Sequence, residues 1–228
     1  MPSPREIGIL VFPRVTQLDF TGPLQVFAMV PGAKLHLIWK TIEPVPSDSV
    51  LTLTPTTTFA DCPQLDVICV PGGQGTNDLL DDQEVLDFLS KQAAGAKYVT
   101  SVCTGSLALG AAGLLKGYRA ATHWSAMDML SQFGATPTRT RVCIDRNRIT
   151  GGGVTAGIDF ALTLVSVMVD RTTAEAIQLQ MEYNPAPPFN SGSPDTAPAE
   201  VLALLKERGA QNQARRLEAV KRAAERIT

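Results

Sequence analysis

A short, uninterrupted apolar run occupies Ile7 to Phe12, and similar runs return at Leu35–Trp39, Val67–Val70, Tyr98–Val102 and Arg148–Thr150. A strand that is apolar at nearly every position has both faces covered, as in a mostly parallel sheet with helices on either side. Between the runs the apolar spacing lengthens to the helical period over Gln83–Ala94, Ser106–Leu115 and Ala156–Val169. This alternation predicts an α/β fold: a three-layer, flavodoxin-like sandwich around a mostly parallel central sheet. The stretch Val45–Thr57 mixes Pro, Ser and Thr with alternating apolar residues, which predicts a hairpin or edge excursion. Five prolines in Asn184–Pro198 predict an extended linker. Beyond it, Val201, Leu202, Leu204 and Leu205, then Leu217, Val220 and Ala224, predict a C-terminal amphipathic helix or two, interrupted near Gly209. The expected division is an α/β domain over residues 1–183 and a Pro-rich arm with C-terminal helix over 184–228, packing on the same domain or on a dimer partner.

Composition narrows the function. The 228 residues fit one α/β domain with a well-buried core. With 20 basic against 22 acidic residues, the chain has no broad positive field, so neither nucleic acid nor an anionic membrane is an expected partner. No apolar run approaches the roughly 18 residues of a membrane span, and Met1-Pro2-Ser3-Pro4-Arg5-Glu6 leads straight into a strand without a signal-peptide core, so a cytoplasmic location is expected. Cys62, Cys69, Cys103 and Cys143 form no CxxC, and the histidines are His36 and His123 only. No metal site, disulfide framework or cofactor is expected.

One segment stands out chemically. Tyr98-Val99-Thr100-Ser101-Val102-Cys103-Thr104-Gly105-Ser106 reads as a strand that ends in a small-residue turn and opens a helix, with Cys103 at the elbow. Such a turn holds a side chain in a strained, exposed conformation at the carboxyl edge of the sheet, where α/β ligands bind. The adjoining helix N-terminus is expected to lower the thiol pKa. A buried structural cysteine is the competing reading. It suits mid-strand Cys69, whereas the turn context favours a functional Cys103. Glycine-rich turns at Pro71-Gly72-Gly73-Gln74-Gly75 and Gly151-Gly152-Gly153-Val154 follow other strands and are candidates to bring backbone N–H groups to a ligand. After strand one, Asp19 is expected in the loop just before a helix. It is the best acid/base candidate, with N-capping as its structural alternative. His123, beside Trp124, is the rival base.

Together these segments resemble the ThiJ/PfpI superfamily, relatives of the class I glutamine amidotransferase fold, and within it the isocyanide hydratases. The likeness runs from Ile7 to about Tyr183. It rests on Gln17-Leu18-Asp19-Phe20-Thr21-Gly22-Pro23, on Leu65-Asp66-Val67-Ile68-Cys69-Val70-Pro71-Gly72-Gly73, on the elbow, on Thr122-His123-Trp124, on Thr150 to Phe160, and on the tail Asn184-Pro185-Ala186-Pro187-Pro188-Phe189-Asn190. Where the superfamily's peptidases and glyoxalases carry His after the nucleophile, this chain has Thr104, and where many members offer a glutamate, it has the shorter Asp19.

The resemblance implies hydration of an isocyanide to an N-substituted formamide without a cofactor. Cys103 would be the nucleophile of a covalent thioimidate and Asp19 the general acid and base. It also implies that Thr104 hydrogen-bonds substrate or Asp19, and that N–H groups near Gly72, Gly73 and Val154 hold developing charge, in a pocket lined by apolar residues such as Phe27, Trp124 and Ile158. A glyoxalase or hydrolase using His123, and a free-standing redox- or ligand-sensing domain, are the alternatives. About thirty helical residues after the linker are too few for the paired helix-turn-helix units of AraC-type regulators. The apolar stripe of the C-terminal helix and the arm, which has no core of its own to wrap, predict a homodimer.

Overall fold

The computed structural model describes residues 5–227. Each apolar run forms a strand of one seven-stranded sheet: β1 (Arg5–Leu10), β2 (Ala33–Trp39), β6 (Val67–Val70), β7 (Tyr98–Val102) and β11 (Arg148–Gly151), with short edge strands β5 (Thr57–Thr58) and β10 (Val142–Asp145). The order is β10-β11-β7-β6-β1-β2-β5, parallel except for β10 against β11. Its inner part is the flavodoxin-like order, so the direction of travel reverses between β1 and β6 and opens a crevice at their carboxyl ends. The excursion after β2 is a hairpin of β3 (Val45–Pro46) and β4 (Thr52–Leu53) that returns as β5. A small parallel pair, β8 (Arg119–Ala120) and β9 (Thr136–Pro137), lies outside the main sheet.

The crossovers between parallel strands place helices on both faces. On one side, α1 (Gln17–Phe27) packs on α5 (Ala156–Met168), which packs on α6 (Arg171–Gln180). On the other lie α3 (Gln83–Gly95), α4 (Gly105–Ala111), the short α2 (Thr76–Leu79), a 3-10 helix Trp124–Phe133 and α7 (Ala199–Arg226). The core is continuous through both layers. Ile7, Ile9, Val67, Val70, Val99 and Val102 of the sheet are fully buried, and so are Phe27 of α1 and Phe160 of α5, whose rings meet edge-on at 6.2 Å.

Three expectations change. The C-terminal helix is single and runs through Gly209, which has open space around it, so packing of the helix's second half outweighs the modest penalty of one helical glycine. Helix α4 ends at Ala111, short of Leu115, because Gly113 adopts a positive φ of 73° and turns the chain. Phe27, expected at a ligand pocket, is fully buried core.

Candidate active site

Four segments at the carboxyl ends of adjacent strands build the site: the first turn of α1, after β1, carries Asp19, and the β6–α2, β7–α4 and β11–α5 loops carry Gly72 and Gly73, Cys103 and Thr104, and Val154. The elbow is strained as the sequence suggested, with Cys103 at φ 55°, in the left-handed region that a side chain rarely occupies. The surroundings fix it there. The Cys103 N–H donates to the Gly152 carbonyl at 2.8 Å, and the Cys103 carbonyl accepts from the Thr122 hydroxyl at 2.8 Å and the Ser106 hydroxyl at 3.2 Å. Gly105 lets the turn press against β6, since a Cβ there would fall 1.9 Å from the Val70 carbonyl oxygen.

The loop after β1 is stitched to the loop after β6. Val15 bridges to Gly73, the Thr16 N–H donates to the Gly72 carbonyl at 2.9 Å, and the Gly75 N–H to the Arg14 carbonyl at 3.2 Å. Asp19 therefore lies in the first turn of α1 and not in the loop before it. Its side chain reaches away from the helix end, accepting from the Gly72 N–H through Oδ2 at 2.9 Å, so it does not cap α1. Its Oδ1 receives no hydrogen bond of ordinary geometry, and the carboxyl is paired electrostatically with the Cys103 thiol. Burial is the main cause that lifts Asp19 from 3.8 to about 7, opposed by the Gly72 N–H and the thiol and reinforced by Asp48.

Cys103 departs from expectation. Its side chain is buried, and burial first, then the Asp19 charge, push the thiol far above its ordinary value, although the Thr104 and Val154 N–H groups donate to Sγ. Two N–H donors do not outweigh desolvation beside a carboxylate. The Thr104 hydroxyl was expected on substrate or Asp19. Instead it accepts from the Gly73 N–H at 3.1 Å and pairs with the Thr76 hydroxyl at 3.0 Å. The Gly72 and Gly73 N–H groups are thus taken by Asp19 and Thr104, which leaves the Thr104 and Val154 N–H groups on sulfur. His123 uses Nδ1 to accept from the Ser125 N–H and so caps the 3-10 helix. Burial, and then the charge of Arg216, hold its pKa low. The remaining cysteines, Cys62, Cys69 and Cys143, are free thiols raised by burial. No cluster of three or more His, Cys, Asp or Glu among the described residues is placed to hold a metal.

A cleft of about 700 Å³ opens over the β11–α5 loop, lined by Thr122, His123, Trp124, Gly152, Val154 and Arg141 among others. Its floor is the same backbone that accepts the Cys103 N–H and donates to Sγ.

Residues 5–167 match the DJ-1/PfpI family. The chain belongs to this family. It is 57% identical over 97% of both chains to "Isonitrile hydratase" of Pseudomonas putida. It is 32% identical over 79% of its length to the HTH-type transcriptional regulator GbdR of Pseudomonas aeruginosa, but covers only 51% of that protein. Among solved structures, a ThiJ/PfpI family protein from Pseudomonas syringae superposes with a TM-score of 0.93 at 49% identity, covering 96% of this chain and 91% of that one. The C-terminal arm and helix therefore fall within what is shared with the isonitrile hydratase and the Pseudomonas syringae protein.

One buried charge near the site escaped the reading of the sequence. Arg216 of α7 lies on the helix's inward stripe with Ala219, Val220 and Ala223. A basic residue spaced i, i+3, i+4 and i+7 with small apolar residues was the available signal.

Proposed function

We propose that this chain hydrates isocyanides to N-substituted formamides, with Cys103 as nucleophile and Asp19 as proton carrier. One observation carries the reading: a buried carboxyl that titrates near neutrality is paired with the elbow cysteine, with no histidine beside either group. The near full-length likeness to an isonitrile hydratase supports the same substrate class.

At neutral pH the pair holds one proton between thiol and carboxyl. The terminal carbon of R–N≡C accepts both a nucleophile and a proton. Sγ adds to that carbon while Asp19, having taken the thiol proton, delivers it to the same carbon, giving the thioimidate Cys103–S–CH=N–R and an Asp19 carboxylate. Water then adds to the thioimidate carbon. Asp19 takes one of its protons and returns it to nitrogen. Collapse of the tetrahedral adduct passes the hydroxyl proton to Asp19 and expels the thiolate, which keeps the Thr104 and Val154 N–H groups as donors. R–NC and water are consumed, and R–NH–CHO leaves. The cleft beside Val154 and Trp124 takes the R group.

The test is to incubate the purified protein, without added metal, with a simple alkyl or aryl isocyanide and follow formamide by chromatography. Turnover is expected, with Cys103→Ala folded and inactive. Activity retained in Cys103→Ala would move the nucleophile elsewhere, and activity on methylglyoxal but not on an isocyanide would favour the glyoxalase alternative. As a second element of the proposal, two copies associate through the outer part of α7, where Val201, Leu204 and Leu205 stay exposed.

A further inference from the structure

We infer that Arg216, on the C-terminal helix, is the fixed counter-charge that allows negative charge to form on Cys103, which makes α7 part of the catalytic machinery. The inference rests on the same nucleophile as the hydration proposal, but not on its substrate.

Arg216 is 6% exposed, and no carboxylate among the described residues lies within ion-pair distance of it. Among the described residues its acceptors are neutral amide oxygens: Asn77 Oδ1, from Nε at 3.0 Å, and Gln213 Oε1 at 3.3 Å. A guanidinium taken out of water without an anion is expensive, and two amide carbonyls offset only part of that expense. Asn77 also accepts from and donates along α7, giving its amide hydrogen to Asn212 Oδ1 at 2.9 Å, and it follows Thr76, whose hydroxyl pairs with Thr104. Gln213 donates to the Ser125 carbonyl, next to the His123 cap. Helix α7 packs on α2, α4 and the 3-10 helix, so Arg216 is held behind the turn from which Cys103 projects.

Among the described residues, Arg216 is coupled electrostatically to Cys103 of the elbow and to His123 at the start of the 3-10 helix, and Cys103 in turn to Asp19 of α1; the carboxylates on the elements packed against α7 are Asp78 of α2 and Asp128 of the 3-10 helix, and neither forms an ion pair with Arg216. Geometry links the two: Arg216 donates to Asn77, the neighbouring Thr76 hydroxyl pairs with the Thr104 hydroxyl, and Thr104 follows Cys103 in the chain. Negative charge on Cys103 favours the charged arginine, while the resting thiol is itself governed by burial and Asp19. The anion Arg216 lacks at rest is the one the reaction makes, a thiolate released when the formamide departs. A surface arginine would be screened by solvent, whereas a buried one acts through low dielectric at longer range. Arg216 is accordingly a positioning residue for charge and does not touch the substrate.

The experiment follows alkylation of the full-length protein by iodoacetamide across pH, with Cys103 identified by peptide mass. In Arg216→Gln the alkylation rate of Cys103 should fall by about tenfold or more at each pH between 7 and 10, the effect of about one pH unit on the thiolate fraction. Arg216→Lys should restore most of the rate. If Arg216→Gln fails to fold, Asn77→Asp serves instead: it leaves the arginine in place, gives it a local anion, and should shift Cys103 in the same direction. An Arg216→Gln protein that is less heat-stable but alkylates with the wild-type pH profile would overturn the inference and leave Arg216 as a docking residue for α7. So would an unchanged profile in Asn77→Asp. Because no isocyanide enters the assay, a wrong substrate assignment and a wrong role for Arg216 give separate results.

Discussion

A carboxyl and a thiol buried side by side each make the other's anion harder to form, so their titration belongs to the pair. With Asp19 near 7 and Cys103 well above its ordinary value, the one-proton state forms as pH rises through about 7 and persists into alkaline solution. Below that range both groups are protonated, and nothing accepts the thiol proton. The expected kcat/KM for an isocyanide therefore rises through pH 7 to a plateau, and Asp19→Asn removes this acid limb and lowers turnover roughly 100-fold or more. Stability should move the other way. An acid whose folded pKa is raised binds more protons folded than unfolded between about 4 and 7, so the wild type loses stability as pH rises through that window. The full difference corresponds to about 4 kcal/mol, at about 1.4 kcal/mol per pH unit. Asp19→Asn should thus melt higher than wild type at pH 8 by several degrees and much less so at pH 4. Equal melting shifts at the two pH values would contradict a buried, high-pKa Asp19. The placing of Cys103 and Asp19 at the carboxyl edge of the sheet was legible in the chain because each follows a continuous apolar strand. The sign of the thiol's perturbation was not. It depends on how completely the loops close over Sγ, which no local pattern records.

At the scale of elements, the site is a set of loops sewn together by backbone, and glycines permit the close approach. A Cβ on Gly72 would lie 2.5 Å from the Thr104 backbone nitrogen, which cannot yield, and 2.9 Å from the side-chain oxygen Asp19 Oδ2. Gly72→Ala should fold but lose about 1 to 3 kcal/mol, and its activity should fall with it because Asp19 and the elbow are displaced together. Chemical denaturation and kinetics on the same variant check this. If activity stays near wild type, the β6–α2 loop is a spacer only. Gly209 is the opposite case. It sits mid-helix with nothing within 4 Å of an added Cβ, so Gly209→Ala should stabilise the protein by about 0.5 to 1 kcal/mol without altering kinetics. The sequence pattern predicted the parallel strands closely, since burial on both faces leaves an unbroken apolar run. It suggested a helix break at Gly209 because a propensity is local, while the burial of Arg216, Ala219, Val220 and Ala223 against the domain is not. The 3-10 helix carries no period that distinguishes it from a loop, and the capping role of His123 was hidden for that reason.

Across the whole molecule, α7 divides into two unlike halves. Its second half, from Arg216 onward, is buried against α2, α4 and the 3-10 helix, and Arg222 and Arg226 both pair with Asp81. Its first half runs over the surface, with Val201, Leu204 and Leu205 at i, i+3 and i+4, the last 49% exposed, and Phe189 of the preceding arm 79% exposed. Three apolar side chains in register on one exposed helix face, next to an exposed aromatic, are covered by little in a single chain. The cleft over the β11–α5 loop also includes Leu202 and Lys206 of this same segment in its lining. A second copy seated on this face by a two-fold axis would bury both stripes against each other, each chain offering the same patch. Light scattering at micromolar concentration should therefore give the mass of two chains. Leu205→Glu, which sets a charge in the middle of the stripe and touches no catalytic group, should shift that mass toward one chain while far-UV circular dichroism stays unchanged. If the dimer is also what encloses the cleft, the same variant should raise KM for an isocyanide more than it lowers kcat, because the R group loses a wall while Cys103 and Asp19 keep their places. A wild-type protein that scatters as a single chain would refute the dimer, and the outer stripe of α7 would then need another occupant.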